Sequence, residues 1–182
     1  SLALGRFILL ANLLGYLFVP LLSWLVTLPD VKWTWTLPLV AIMSCGLGTI
    51  LPLVCHRAVA PDSRAGAKVS WIYFVNVLGS ASGSLLTGFW LTDRASLREI
   101  SLLLAILGAV MGAVALQAGV RGPRLFTRLL GASAVAGVAV LLNPWIFDGL
   151  YERMVQKSFY VPTFRFLHVV ENKSGVITVY RD

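Results

Sequence analysis

Asn76 is a polar side chain set inside a long apolar run, and Ser80, Ser84 and Gly88 follow it at four-residue spacing. On a helix these residues share one row, with Gly79, Gly83 and Thr87 in the row beside it. An amide among hydroxyls could line a path for a small polar solute, or it could join helices by hydrogen bonds across a flat face. The carboxylates weigh against the path. Of eight acidic residues, Asp30, Asp62, Asp93 and Glu99 fall in spacers and the other four in the tail, so none interrupts an apolar run. Carboxylates within a membrane segment are the usual marks of proton relays and ion-coupled transport.

The remaining reactive residues fare no better. His56 closes the second apolar run and His168 lies in the tail, so the two cannot ligate a haem between membrane helices. His56 reads instead as an interfacial residue beside Arg57. Cys45 and Cys55 would sit about 15 Å apart along one helix, too far to form a disulfide, and they match no metal-ligand spacing. No glycine-rich phosphate loop follows a strand, and no pair of carboxylates is spaced for proton transfer. The expectation is therefore no catalytic, cofactor-binding or metal-ligating residue, and no cofactor.

The elements that carry these residues follow from composition. Hydrophobic residues make up 58% of the 182-residue chain and charged residues 13%, where a soluble domain carries roughly 25% charged. Five runs approach or exceed the length needed to cross a bilayer, about 20 residues: Phe7–Leu28, Thr36–Cys55, Val69–Leu91, Ile100–Gln117 and Phe126–Phe147. Charges and prolines gather in the spacers, "PDVKW", "HRAVAPDSRAGAK", "TDRASLRE" and "AGVRGPR". The first run follows Arg6, yet it is too long for a signal sequence and reads as a span bent near Pro20. The fold class expected is an all-α membrane protein: a bundle of about five transmembrane helices over residues 1–147, then an extramembrane tail over 148–182. That places the chain in the cell membrane as a multi-pass protein with the lipid bilayer around it, and no nucleic acid is expected as a partner.

Topology follows from the basic residues. Arg6, Arg57, Arg64, Lys68, Arg121, Arg124 and Arg128 share one side, while Lys32, Arg94, Arg98, Arg153 and Lys157 share the other. Excess Lys and Arg mark the cytoplasmic side, which favours a cytoplasmic N-terminus and a tail on the opposite face.

Lipid gives little hydrophobic reason for helices to associate, so small residues that let backbones approach do that work. Asn76, Gly79 and Gly83 on the third run, and Gly108 and Gly112 on the fourth, are the helix-packing residues expected from this pattern. Ala105, Ala109 and Ala113 widen the second of these faces. In the tail, "DGLYERMVQKSFY" reads as a short amphipathic helix with Leu150, Met154 and Val155 toward lipid or protein. Phe164–Val170 and Val176–Tyr180 then read as antiparallel strands around "ENKSG". Asp148, Glu152, Glu171 and Asp182 are spread along the tail and are expected to be solvated. A lone hairpin is marginally stable and leaves its edges unpaired, so a larger sheet is expected to receive it.

Two stretches together are similar to one family. "LPLVAIMSCGLGTILPLVCHRAVAPDSRAGAKVSWIYFVNVLGSASGSLLTGFWL" resembles the membrane part of spermidine-synthase-like integral membrane proteins. The matching residues are Gly48, Pro52 and Leu53, then Tyr73, Asn76, Leu78, Gly79, Gly83 and Gly88. "HVVENKSGVITV" resembles the small β-element that opens their aminopropyltransferase-like domain. The resemblance implies the latter membrane half of such a protein plus the first strands of its soluble domain. It carries no catalytic residue onto this chain, because the family's nucleotide-binding loop and polyamine-binding carboxylates have no counterpart up to Asp182. The leading expectation is a non-catalytic anchoring or scaffolding module whose partners are other membrane chains or a missing soluble domain. The alternatives are an accessory membrane subunit of a larger complex and a small-molecule transporter.

Overall fold

The computed structural model describes residues 2–29, 33–117 and 123–180. Asp30, Lys32, Arg121 and Asp182, which entered the sequence argument, lie outside them. Helix α1 spans Leu2–Leu25, α2 Thr36–Gly48, α3 Ile50–Ala58, α4 Ala65–Leu86, α5 Leu97–Gln117, α6 Pro123–Ile146 and α7 Leu150–Gln156, and the strands are β1 His168–Asn172 and β2 Gly175–Val179.

Local chemistry explains the boundaries. Pro52 has no N–H to give the Gly48 carbonyl, and the helix steps there from α2 to α3. Thr49, at the step, keeps helical angles and donates its Oγ1 to the Cys45 carbonyl, so α2 and α3 remain one apolar rod from Thr36 to Ala58. Helix α4 widens at its end into a π turn, Thr87–Leu91, closed by the Thr92 N–H on the Thr87 carbonyl at 3.1 Å. Ser96 and Glu99 start α5 with reciprocal bonds: the Ser96 N–H reaches Glu99 Oε2 at 2.8 Å, and the Glu99 N–H reaches Ser96 Oγ at 3.3 Å.

The core is built on α1, α5 and α6. Helix α5 buries Ile100, Ala105, Ala109, Gly112 and Leu116, a stripe at helical spacing. Helices α1 and α5 run antiparallel, with Gly5 beside Leu116, Leu9 beside Gly112 and Asn12 beside Gly108. Each large side chain faces a glycine, which lets the two backbones come close. Buried polar groups add bonds across the helices: Asn12 Nδ2 donates to the Ala105 carbonyl at 2.8 Å. The Tyr16 hydroxyl lies 3.0 Å from Asn143 Oδ1 and 3.1 Å from the Ala139 carbonyl. Tyr16, Ala105, Ala139, Phe147 and Leu150 close the core at this end.

About five spans were expected, and among the described residues four helices qualify on their own. Ala3–Leu25, Thr36–Ala58, Ala65–Leu91 and Leu97–Gln117 are long and apolar enough to cross a membrane. Among the described residues a fifth arises if Ser133–Ile146 and Leu150–Phe159, bent by 50° at Phe147–Gly149, are taken together. Helix α6 stops at Ile146, and Gly149 turns the chain with φ +63°, a left-handed angle suited to glycine. The expected fifth run, Phe126–Phe147, does lie within or one residue beyond α6.

The hairpin is antiparallel, as expected, but β1 begins four residues later than expected and β2 one residue earlier. His168 pairs with Val179, and Asn172 pairs with Gly175, leaving a two-residue turn at Lys173 and Ser174. Asn172 Oδ1 accepts the N–H groups of Ser174 and Gly175, which tightens the turn and draws Glu171 and Asn172 into the strand. Phe164–Leu167 stays outside β1, with the Phe164 and Phe166 rings edge to face at 5.3 Å.

Candidate functional site

Two carboxylate contacts, through Glu171 and Asp93, seat the hairpin on the start of α5, and two more, through Asp148 and Glu152, hold the segment that leads into it. Glu171 of β1 reaches across to α5, where its Oε2 accepts the Leu97 N–H at 2.6 Å. A free amide in a first helical turn is a favourable partner for a carboxylate, since the helix dipole is positive there. Tyr151 of α7 also hydrogen-bonds Glu171. Asp93, in the turn before α5, accepts the Lys173 N–H at 3.2 Å and pairs with its ammonium at 3.1 Å. Asp148 takes both guanidinium arms of Arg165, at 2.9 and 2.7 Å. Glu152, 8% exposed, accepts the Phe166 N–H at 3.2 Å.

These contacts correct the expectation of solvated tail carboxylates for Glu152 and Glu171, while Asp148 pairs with Arg165 and stays exposed. Each carboxylate holds a backbone amide or a cation, and three of the contacts fix the segment that leads into the hairpin or the hairpin itself. Asp93 and Lys173 also put the spacer between α4 and α5 at the same end as the tail.

Arg153 locks α7 to the end of α1. It is 3% exposed, its Nε donates to Ser23 Oγ at 3.0 Å, and its Nη1 donates to the Asp148 carbonyl at 2.6 Å. The Ser23 hydroxyl, fully buried, donates to the Pro20 carbonyl at 2.7 Å, so its oxygen both accepts and donates. The guanidinium stacks over Trp24 at 4.4 Å. Gly149 has to be small here as well as left-handed, since a Cβ would lie 3.2 Å from Tyr160 Oη and 3.3 Å from Arg165 Nη1.

Two clefts adjoin this seat. One, of about 400 Å³, lies between the hairpin turn and the start of α5 and is lined by Thr92, Tyr151, Glu171, Asn172, Lys173 and Ser174 among others. The other, of about 420 Å³, lies deeper between α1, α2 and α5, where Asn12, Gly15, Tyr16, Leu47, Thr87 and Leu104 line it. Leu97 and Ile100 belong to both.

The five helix-packing residues divide. Gly108 and Gly112 face Asn12 and Leu9 of α1. Asn76 is exposed, and a Cβ at Gly79 or Gly83 would meet nothing within 4 Å. No residue of α4 is buried, so its small-residue face stands open in the single chain. Among the described residues, no three His, Cys, Asp or Glu side chains gather as a metal site would require. Arg153 and the tail carboxylates were the functional residues that sequence reasoning missed.

Electrostatics predict how the seat responds to acid. The Lys173 backbone N–H, and then its ammonium, hold the Asp93 carboxyl below the usual carboxylate range. Hydrogen bonds from Arg165 hold Asp148 low in the same way. Both folded values are depressed, so their stabilisation is complete above the unfolded pKa of about 3.9 and is lost as pH falls through the lower folded values. A spin label at Ile177 should therefore keep one mobility from pH 8 to pH 5 and become mobile below about pH 4. Release between pH 7 and pH 5 would show that these two carboxylates do not govern the seat.

No protein-family model, curated protein or solved structure matches the chain.

Proposed function

We propose that the chain is a non-catalytic, multi-pass anchoring module of the cell membrane that fixes the first strands of a soluble sheet against the membrane face. The observation that carries this reading is the pair of carboxylate contacts that join the hairpin to the start of α5, Glu171 on the Leu97 amide and Asp93 on Lys173. The apolar exterior supports the bilayer setting: Trp71 and Phe89 of the α4 rod are 65% and 69% exposed, and Trp145 of α6 is 81% exposed. Val170, Ile177 and Val179 remain exposed on a hairpin with both edges unpaired, which suits it to extension by further strands. The resemblance to spermidine-synthase-like membrane proteins gives that missing sheet a chemical identity, an aminopropyltransferase-like domain, and rests on the quoted residues alone.

A second reading, an accessory subunit in a larger membrane assembly, is favoured by α4. Its exposed Asn76, Gly79 and Gly83 suit close approach by another membrane helix. For a transporter, Asn76 would have to line a polar cavity, and it lines neither cleft adjoining the seat.

Alkaline extraction and cysteine labelling test the setting. The chain should stay with the membrane at high pH, and cysteines at Ile106 and Val138 should resist a water-soluble maleimide that labels one at Arg64. Equal labelling at all three positions would refute the membrane reading. Turnover of decarboxylated S-adenosylmethionine with putrescine by this chain, abolished by Glu171→Gln, would refute the non-catalytic one.

A further inference from the structure

We infer that residues 150–161 form an interfacial element, with Val155 and Phe159 inserted into the bilayer surface at the tail end of the bundle. The inference rests on the membrane reading above and names lipid as the partner of the segment between the helices and the hairpin.

The outward surface of this segment is apolar. Phe159 is 84% exposed and Val155 58%, with Met154 and Val161 exposed beside them. Glu152 and Arg153 are buried, which leaves Lys157 as the one exposed charge of residues 150–161. Aromatic and aliphatic side chains turned outward around a basic residue suit the boundary between headgroups and acyl chains.

Contacts within the bundle fix the depth. Arg153 of α7 meets Ser23 and stacks on Trp24, in the last turn of the apolar span Ala3–Leu25, so α7 lies where that span ends. Four exposed indoles mark the same level. Trp24 and Trp145 lie one residue from the ends of α1 and α6, Trp35 directly precedes α2, and Trp90 sits in the π turn that ends the α4 rod. Indoles exposed at helix ends gather at the headgroup level of a bilayer. Ser133–Ile146 and Leu150–Phe159 are together apolar enough for a membrane span, so α7 continues the apolar course of α6 at an angle of 50° to it.

The turn after α7 points the same way. Lys157 has φ +52° and ψ −124°, and among the described residues it is the one non-glycine with a positive φ. Such a conformation persists where its surroundings hold it, yet Lys157, Ser158 and Phe159 are all exposed. A bilayer supplies the missing hold. The phenyl ring enters the acyl boundary while the ammonium stays among the headgroups.

Depth measurements on the full chain test this directly. Single nitroxide labels are placed at Ile106, Val155, Phe159 and Ile177, with Cys45 and Cys55 replaced by serine. Collisions with oxygen and with a water-soluble nickel complex then report the depth of each label in phosphatidylcholine nanodiscs. The Val155 and Phe159 labels should lie about 5–10 Å into the headgroup and acyl boundary, the Ile106 label deeper, and the Ile177 label in water. Phe159→Glu should shift the Val155 label outward, toward the nickel accessibility of Ile177. A Val155 label unmoved by that substitution would overturn the inference. So would Val155 and Phe159 labels as open to nickel as Ile177 while Ile106 stays shielded. That second result is the one expected if another protein covers this surface, and it leaves the membrane reading standing. An Ile106 label open to nickel would overturn the membrane reading and the interfacial element together.

Discussion

Gly108→Leu should destabilise the chain by about 3 kcal/mol, at the upper end of what overpacking costs a close-packed core. A Cβ at this position would land on the Asn12 amide, and that amide cannot swing aside freely because it donates to the Ala105 carbonyl. Gly112→Leu meets Leu9 Cδ2 at 2.5 Å and should cost somewhat less, since a leucine end can rotate. In thermal unfolding in detergent the Gly108 variant should lose roughly 10 °C. Gly79→Leu and Gly83→Leu should stay within about 0.5 kcal/mol of the parent in the isolated chain, because they point into open space. A loss as large as that at Gly108 would mean that α4 packs within the chain. A loss that appears only when a partner is present would identify the helix that covers α4.

Arg153→Ala should cost about 3 kcal/mol, the upper end of the scale set by buried hydrogen bonds to a charged group. The change removes the bonds to Ser23 and to the Asp148 carbonyl together with the stacking on Trp24. It also leaves Glu152, 8% exposed, without the nearest buried cation. Arg153→Lys should recover less than half of the loss. An ammonium carries the charge but lacks the planar fork that meets Ser23 and Asp148 while lying flat on an indole. Full rescue by lysine would reduce the role of Arg153 to its charge. Thermal unfolding of the three proteins in one detergent decides the matter.

Much of the helical framework was legible because apolar run length is a local property. Thr36–Ala58 and Leu97–Gln117 follow from it within a few residues. The packing face at Gly108 and Gly112 was legible for the same reason, with small residues repeating at helical spacing. Its mates Asn12 and Leu9 were not, since nothing in α1 marks the register that an antiparallel neighbour imposes. The similar face on α4 shows the limit of the signal, because small residues permit an approach without naming the helix that makes it.

The seat was hidden by distance along the chain. Glu171 and Leu97 are 74 residues apart and Asp93 and Lys173 are 80 apart, so no window of sequence holds both partners. Local cues pointed to solvated carboxylates, and tertiary contact made them anchors. One partial signal was present: "SLRE" is a capping box that fixes where α5 begins, and hence which amide Glu171 finds free. The later start of β1 had a local signal too, the Asn172 side chain that closes the turn.

The central claim is that the hairpin is held in a fixed place relative to the helices. The most direct measurement is the distance distribution between spin labels at Ile177 on β2 and Gln117 at the far end of α5, in lipid nanodiscs, with Cys45 and Cys55 replaced by serine. One narrow distribution is predicted for the parent, and a broad one once Asp93→Asn and Glu171→Gln remove both contacts to the start of α5. A broad distribution in the parent, unchanged by the two substitutions, would contradict the account.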